Sequence, residues 1–287
     1  MSGAGCGLSR TLARDLAESL TLVSPRFPRY AAPVDVIWLC GFATLAGFVD
    51  AVVGGGGLIQ IPALLLFLPP EHAGALVMVL GTNKLSSMCG TGFAVVQYAR
   101  RVPLRWRTLL PAAGMALAAS FLGARTVAHL HPELLKPLVL GLLVAVAVYA
   151  AVNKDFGHLH APKLGPAAEV WAGLGLGAVI GFYDGFFGPG TGSFLIFAFI
   201  GLFGFDFLLA SASAKVLNFA TNLAAVAYFA ATGQILYAYA LPMGACNIAG
   251  ALTGARLAIL KGNRFVRVFF LLVVAALILR YGWEVVR

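Results

Sequence analysis

Charge is what this chain lacks first: 11% of its residues are Asp, Glu, Lys or Arg, where a soluble globular protein carries about 25%. A water-soluble fold is excluded. The roughly ten-residue alternation of a membrane barrel is missing too, which leaves helices. Cysteine is sparse, and Cys6, Cys40, Cys89 and Cys246 stand too far apart to suggest a metal site or a redox pair. No nucleophile–base pair, HExxH helix or pair of catalytic acids is present, so an enzyme is not expected. Residues 1–33 have no apolar signal core, and cleavage there is not expected.

What the chain has is oil. Hydrophobic residues make up 60% of it and the mean hydropathy is +0.91, the composition of an all-α polytopic membrane protein. Apolar segments run over residues 34–53, 57–69, 73–99, 106–127 and 134–152, then over 168–187, 192–204, 207–231, 237–256 and 265–282. They divide the chain into a tail (1–33), a first transmembrane repeat (34–152), a linker (153–167) and a second repeat (168–287). In the tail, Leu8, Leu12, Leu16 and Leu20 recur every four residues, as in a helix lying along the membrane interface. The net charge of +9 sits mostly in short loops, where orientation in the membrane explains it and nucleic acid does not.

The halves match. Gly47 and Gly181 are 134 residues apart, while Lys84 and Lys215, Pro111 and Pro242, and Gly123-Ala124-Arg125 and Gly254-Ala255-Arg256 are all offset by 131. Such an offset points to duplicated halves of four or five helices each, eight to ten membrane segments in all. If the short second segments cross the bilayer, the halves are inverted; if they are re-entrant, the halves are parallel. Inversion places the basic loops around Arg100–Arg107 and Arg256–Arg267 on one side, and it is the arrangement expected here.

Two glycine runs interrupt the helices. Gly54 to Gly57 form the first, and Gly188-Pro189-Gly190-Thr191-Gly192 the second. Glycine costs a helix interior about 1 kcal/mol relative to alanine, and proline removes a donor, so each helix should break there, in the manner of transporter sites. The next helix, starting near Gly56 and Gly57 or near Gly190 and Gly192, then turns its positive N-terminal end to the gap. The second run is no nucleotide loop, since the lysine that should follow it is absent.

Charge inside a membrane helix costs about 2.5–3.5 kcal/mol on insertion scales, and four such residues stand out: Asp50, Lys84, Asp184 and Lys215. Thr82 and Asn83 flank the first lysine, and Asn218, Thr221 and Asn222 follow the second. One reading is a pocket of two ammonium groups, amide and hydroxyl donors and two helix N-termini, suited to a small oxyanion. In it Asp50 and Asp184 couple protons or hold the lysines. A second makes each lysine–aspartate pair a structural bridge. A third is a proton-linked carrier or channel for a cation or neutral solute, and a fourth a non-transporting membrane subunit. His129, His131, His158 and His160 pair at i and i+2, which share no helical face, so no metal or other cofactor is expected.

Gly-Phe-Val-Asp at 47–50 with its glycine run and Pro62, Gly-Thr-Asn-Lys at 81–84, Ser-Ala-Lys at 213–215 and Asn-Phe-Ala-Thr-Asn at 218–222 resemble the TauE/SafE sulfite exporter family of permeases over about residues 34–282. The resemblance implies a multi-pass transporter of the bacterial or archaeal inner membrane, carrying sulfite, sulfoacetate or a related organosulfur anion. The expected partners are that anion and the lipid bilayer, with a homo-oligomer left open and nucleic acid excluded.

Overall fold

Helices form where the sequence is apolar and end where glycine or a polar turn interrupts it. The computed structural model describes residues 33–69, 76–126 and 161–286, all within the compact unit Ala32–Arg287. The leucine pattern of the tail, the segment 134–152, most of the linker and the four loop histidines lie outside the described residues. The helices are α1 (Pro33–Val53), α2 (Gly57–Phe67), α3 (Leu76–Ala99), α4 (Trp106–Thr126), α5 (Pro166–Phe186), α6 (Thr191–Gly201), α7 (Phe207–Ala231) and α8 (Tyr237–Val286). No strand occurs among the described residues. Residues 35–53 of α1 and the whole of α4 and α5 are long and apolar enough to cross a bilayer. The protein is an all-α membrane protein.

Two element ends differ from the sequence reading. The ninth segment does not stop at 256, because the good helix formers from Leu257 to Lys261 carry it on; the backbone breaks at Gly262, whose φ of 68° suits glycine. The short helices are the second difference. At 11 residues and 1.5 Å per residue, each is about 16 Å long, half of a bilayer core. α2 folds back along α1: Gly56 lies against Ala46 and Asp50, and at its far end Phe67 packs on Phe42 and Trp38, with ring centroids 5.8 and 6.3 Å away.

The long helices meet through small residues. Gly173, Gly177, Gly181 and Gly185 of α5 lie in turn against Thr108, Ala112, Ala116 and Ser120 of α4, so the two helices run parallel with their backbones in contact, as small-residue faces allow in lipid. α1 and α8 do the same, Thr44 and Phe48 lying against Gly250 and Gly254. The contacts recur in exchanged form: Gly123 touches the Phe182 carbonyl and Gly254 the Phe48 carbonyl, so matching residues of the two halves make matching contacts with the opposite half. α3 and α7 run antiparallel. The chain after α3 (Arg101, Val102) shares a cavity with the start of α7 (Leu208, Leu209), and the chain after α7 returns to the start of α3, where Leu236 N donates to Thr82 Oγ1 at 3.1 Å.

Gly254→Leu would drive a side chain into the Phe48 backbone, whereas Gly175 has open space in front of it. Overpacking of this kind costs roughly 1–3 kcal/mol. Thermal unfolding in detergent should show Gly254→Leu melting several degrees lower and Gly175→Leu unchanged; equal melting points would contradict the close packing.

Candidate functional site

The glycine runs do break the chain, and they meet each other. Gly54 and Gly55 take φ of 78° and 86°, and Gly188 and Gly190 take 90° and 84°. Only glycine adopts such values without strain, and Pro189 cannot, so the second break places its left-handed residues on either side of it. Gly54 lies backbone to backbone with Gly192, which joins the break of one half to that of the other.

A broken helix in a membrane must find partners for its free backbone groups. Hydroxyls supply them at the end of α1. Tyr98 donates to the Ala51 carbonyl at 2.8 Å, Ser211 to that of Val52 at 2.7 Å and Ser193 to that of Val53 at 3.1 Å. These come from α3, α7 and α6, so three elements lock the break in place. At the second break, Tyr183 donates to the Pro189 carbonyl at 2.6 Å.

Between the breaks lies a cavity of about 300 Å³ with its mouth included, lined by Asp50, Gly55, Gly56, Gly57, Asn83, Lys84, Ser87, Asp184, Gly188, Gly190, Thr191, Gly192, Asn218 and Asn222. The N-terminal ends of α2 and α6 therefore open onto the same space. Their dipoles make it favourable for negative charge, each end acting as roughly +0.5 of a charge. Around the glycines stand three amides, and the Asn83 Oδ1 is buried with no hydrogen-bond partner.

The charges pair across the halves. Lys84 Nζ lies 2.8 Å from Asp184 Oδ2, and Lys215 Nζ lies 3.1 Å from Asp50 Oδ2. Each bridge joins a residue of one half to a residue of the other, and the four formal charges cancel. Their surroundings differ. Lys84 lines the cavity, while Lys215 is fully buried behind Asp50. Asp50 also accepts from Thr91 Oγ1 at 3.3 Å and from the Gly56 N–H at 3.4 Å. Asp184 instead faces the Thr191 hydroxyl, which lies 2.7 Å from both Asp184 Oδ1 and the Gly188 carbonyl.

Of the residues singled out from the sequence, the cavity gathers Asp50, Asn83, Lys84, Asp184, Asn218, Asn222, Gly56, Gly57, Gly190 and Gly192. Lys215 reaches it only through Asp50. Thr82 points away and accepts from the Leu236 N–H; the Thr221 hydroxyl donates at 2.9 Å to the Asn218 carbonyl of its own helix. Ser87 and Thr191 line the cavity as well. Ser87 belongs to the polar cluster around Lys84 in the sequence: it stands three residues after that lysine, so shares its face, and it matches Asn218 at the offset of 131. Thr191 stands in the second glycine run, with no signal in the sequence of a role for its hydroxyl. Away from the cavity, Asn247 Nδ2 donates to Gln60 Oε1 at 3.0 Å. Among the described residues no group of three or more His, Cys, Asp or Glu side chains is placed to hold a metal ion.

The sequence model of the family described as sulfite exporter TauE/SafE matches residues 39–281. A probable membrane transporter protein of a Sinorhizobium species is 38% identical over 83% of this chain and 88% of its own. One from Haemophilus influenzae is 35% identical over 86% and 95%, and the probable membrane transporter protein YfcA of Escherichia coli K12 is 33% identical over 82% and 85%. No solved structure matches the chain.

Proposed function

Since the chain belongs to the TauE/SafE family and is a membrane transporter, we propose that it is a multi-pass secondary transporter of the inner membrane. It carries a small sulfur-containing anion, such as sulfite or an organosulfonate, together with a proton. The observation that carries this reading is the convergence of Lys84, three amides and two helix N-termini on one buried cavity. These are groups that bond oxyanion oxygens and balance their charge. The antiparallel run of α3 and α7 and the exchanged contacts of α1, α4, α5 and α8 support inverted halves that rock about this cavity. The direction of the hairpins reconciles that with re-entrant short helices: α1 with α2, taken as a hairpin, adds no net crossing.

The site is neutral when empty, so an anion must compete with Asp184 for Lys84. Protonating Asp184 removes that competition. Thr191 suits both states: it donates to the carboxylate, or it accepts from the carboxylic acid and donates to the Gly188 carbonyl instead. An anion and a proton therefore bind better together than apart. The sign follows: the proton favours the anion, and a proton gradient drives the anion in the direction the proton moves. Asp50, held by Lys215, Thr91 and the Gly56 N–H, serves to fix the break.

In liposomes containing the purified protein, a fully ionised alkyl sulfonate should bind more tightly at low pH, and Asp184→Asn should bind it with little pH dependence. Thr191→Val should weaken the pH response in the same direction. Absence of flux for sulfite and for sulfonates, or an unaltered pH response in Asp184→Asn, would overturn the mechanism. The presence of both aspartates in the lining favours one other reading, a proton-linked carrier of a cation or neutral solute; in that case Asp184→Asn abolishes substrate binding outright.

A further inference from the structure

Where α3 ends and α8 passes beside it, a second cavity of about 750 Å³ including its mouth is lined by Gln97, Arg100, Arg101, Arg256, Ile259 and Leu260. We propose that it binds the headgroup of an anionic phospholipid. The three arginines come from parts of the chain more than 150 residues apart yet converge on one space. All three are exposed, and none is in the ion pairs found among the described residues. Guanidinium groups are matched in shape to the paired oxygens of a phosphate, and unpaired ones gathered in a concave site repel one another until an anion arrives.

Three further observations choose lipid over a dissolved anion. The cavity lies at the end of α3, a few residues before Trp106, which is 40% exposed and marks the membrane–water interface as such residues do. One wall is apolar, and Leu260 is 72% exposed, so it offers a surface to acyl chains just below the guanidinium groups. The arginine pair is also particular to this site: at the offset of 131, Arg100 and Arg101 correspond to Ala231 and Thr232, while Arg256 has its counterpart in Arg125. Basic residues gathered in this way are what the anionic lipids of a cytoplasmic leaflet attract. The buried Gln97 Oε1 has no hydrogen-bond partner; a hydroxyl-bearing headgroup such as that of phosphatidylglycerol supplies the donor it lacks.

The test is a lipid titration of the detergent-purified full-length protein, read by thermal unfolding and native mass spectrometry. Phosphatidylglycerol should raise the melting temperature and give adducts that survive, phosphatidylcholine should do neither, and the shift should shrink with added salt. The triple variant Arg100→Gln/Arg101→Gln/Arg256→Gln should fold as the parent does, because these side chains are exposed, and should bind phosphatidylglycerol on the order of 100-fold more weakly. A triple Arg→Lys variant should keep most of the effect. The proposal fails if the glutamine variant retains the full shift, if phosphatidylcholine matches phosphatidylglycerol, or if inorganic phosphate at equal concentration produces the same shift, which would mark a site for a free anion.

Discussion

Lys84→Ala is expected to reduce anion flux to that of empty liposomes while the protein still inserts and folds, because Asp184 keeps its bond to Thr191 and can take up a proton from the cavity beside it. The informative comparison is the double variant Lys84→Ala/Asp184→Ala. It removes the bridge without stranding either charge, so its melting temperature should lie near the parent's. Were the bridge only structural, the double variant would transport; if Lys84 meets the anion, it stays inactive. Lys215→Ala should behave differently. It leaves Asp50 without the fully buried ammonium that neutralises it, and breaking a buried pair from one side costs about 3–5 kcal/mol. The expected result is a large loss of folded protein, partly recovered in Lys215→Ala/Asp50→Asn. Two lysines that look equivalent in sequence are thus separated by one pair of measurements.

Gly54→Val is expected to be the most damaging single substitution away from the charges. A β-branched residue at φ of 78° loses roughly 1–2 kcal/mol to left-handed geometry. Its Cβ would also overlap the backbone of Gly192, and forcing apart a close contact adds about 1–3 kcal/mol more. Because that contact joins the two breaks, the cavity should be lost with it. Purified Gly54→Val should melt well below the parent and bind no sulfonate even at saturating concentration. Melting and binding like the parent's would mean that the two breaks do not depend on one another.

Much of this architecture was legible because membranes leave few choices. Segment lengths follow from bilayer thickness, and a glycine run inside apolar sequence has no better use than a break; the ends of α1 and α5 fall where that logic placed them. The recurrence of Gly173, Gly177, Gly181 and Gly185 every four residues is likewise a pattern that suits a close-packed face. What sequence could not disclose is which charge meets which. Nothing local tells Lys84 from Lys215 as a partner for Asp184, since the bridges form between halves and depend on how those halves interlock. Proximity in sequence also misled over Thr82: two residues from Lys84 is about 200° around a helix, on the far side from the cavity, where the hydroxyl serves the loop after α7. The role of the hydroxyls that secure the end of α1 was hidden for a related reason. Ser211 stands in the polar cluster around Lys215, and Tyr98 and Ser193 look ordinary in their own segments; only the fold brings the three to successive carbonyls of α1.

The exchange of ion pairs between halves has a consequence for how the protein is made. While the ribosome is still producing the second half, Asp50 and Lys84 are already in the membrane with neither permanent partner in existence. The nascent first half therefore holds an acid and a base whose partners in the finished fold arrive only with α5 and α7. A truncated product that stops before Asp184 would lack both partners, leaving its two charges only each other or water to neutralise them.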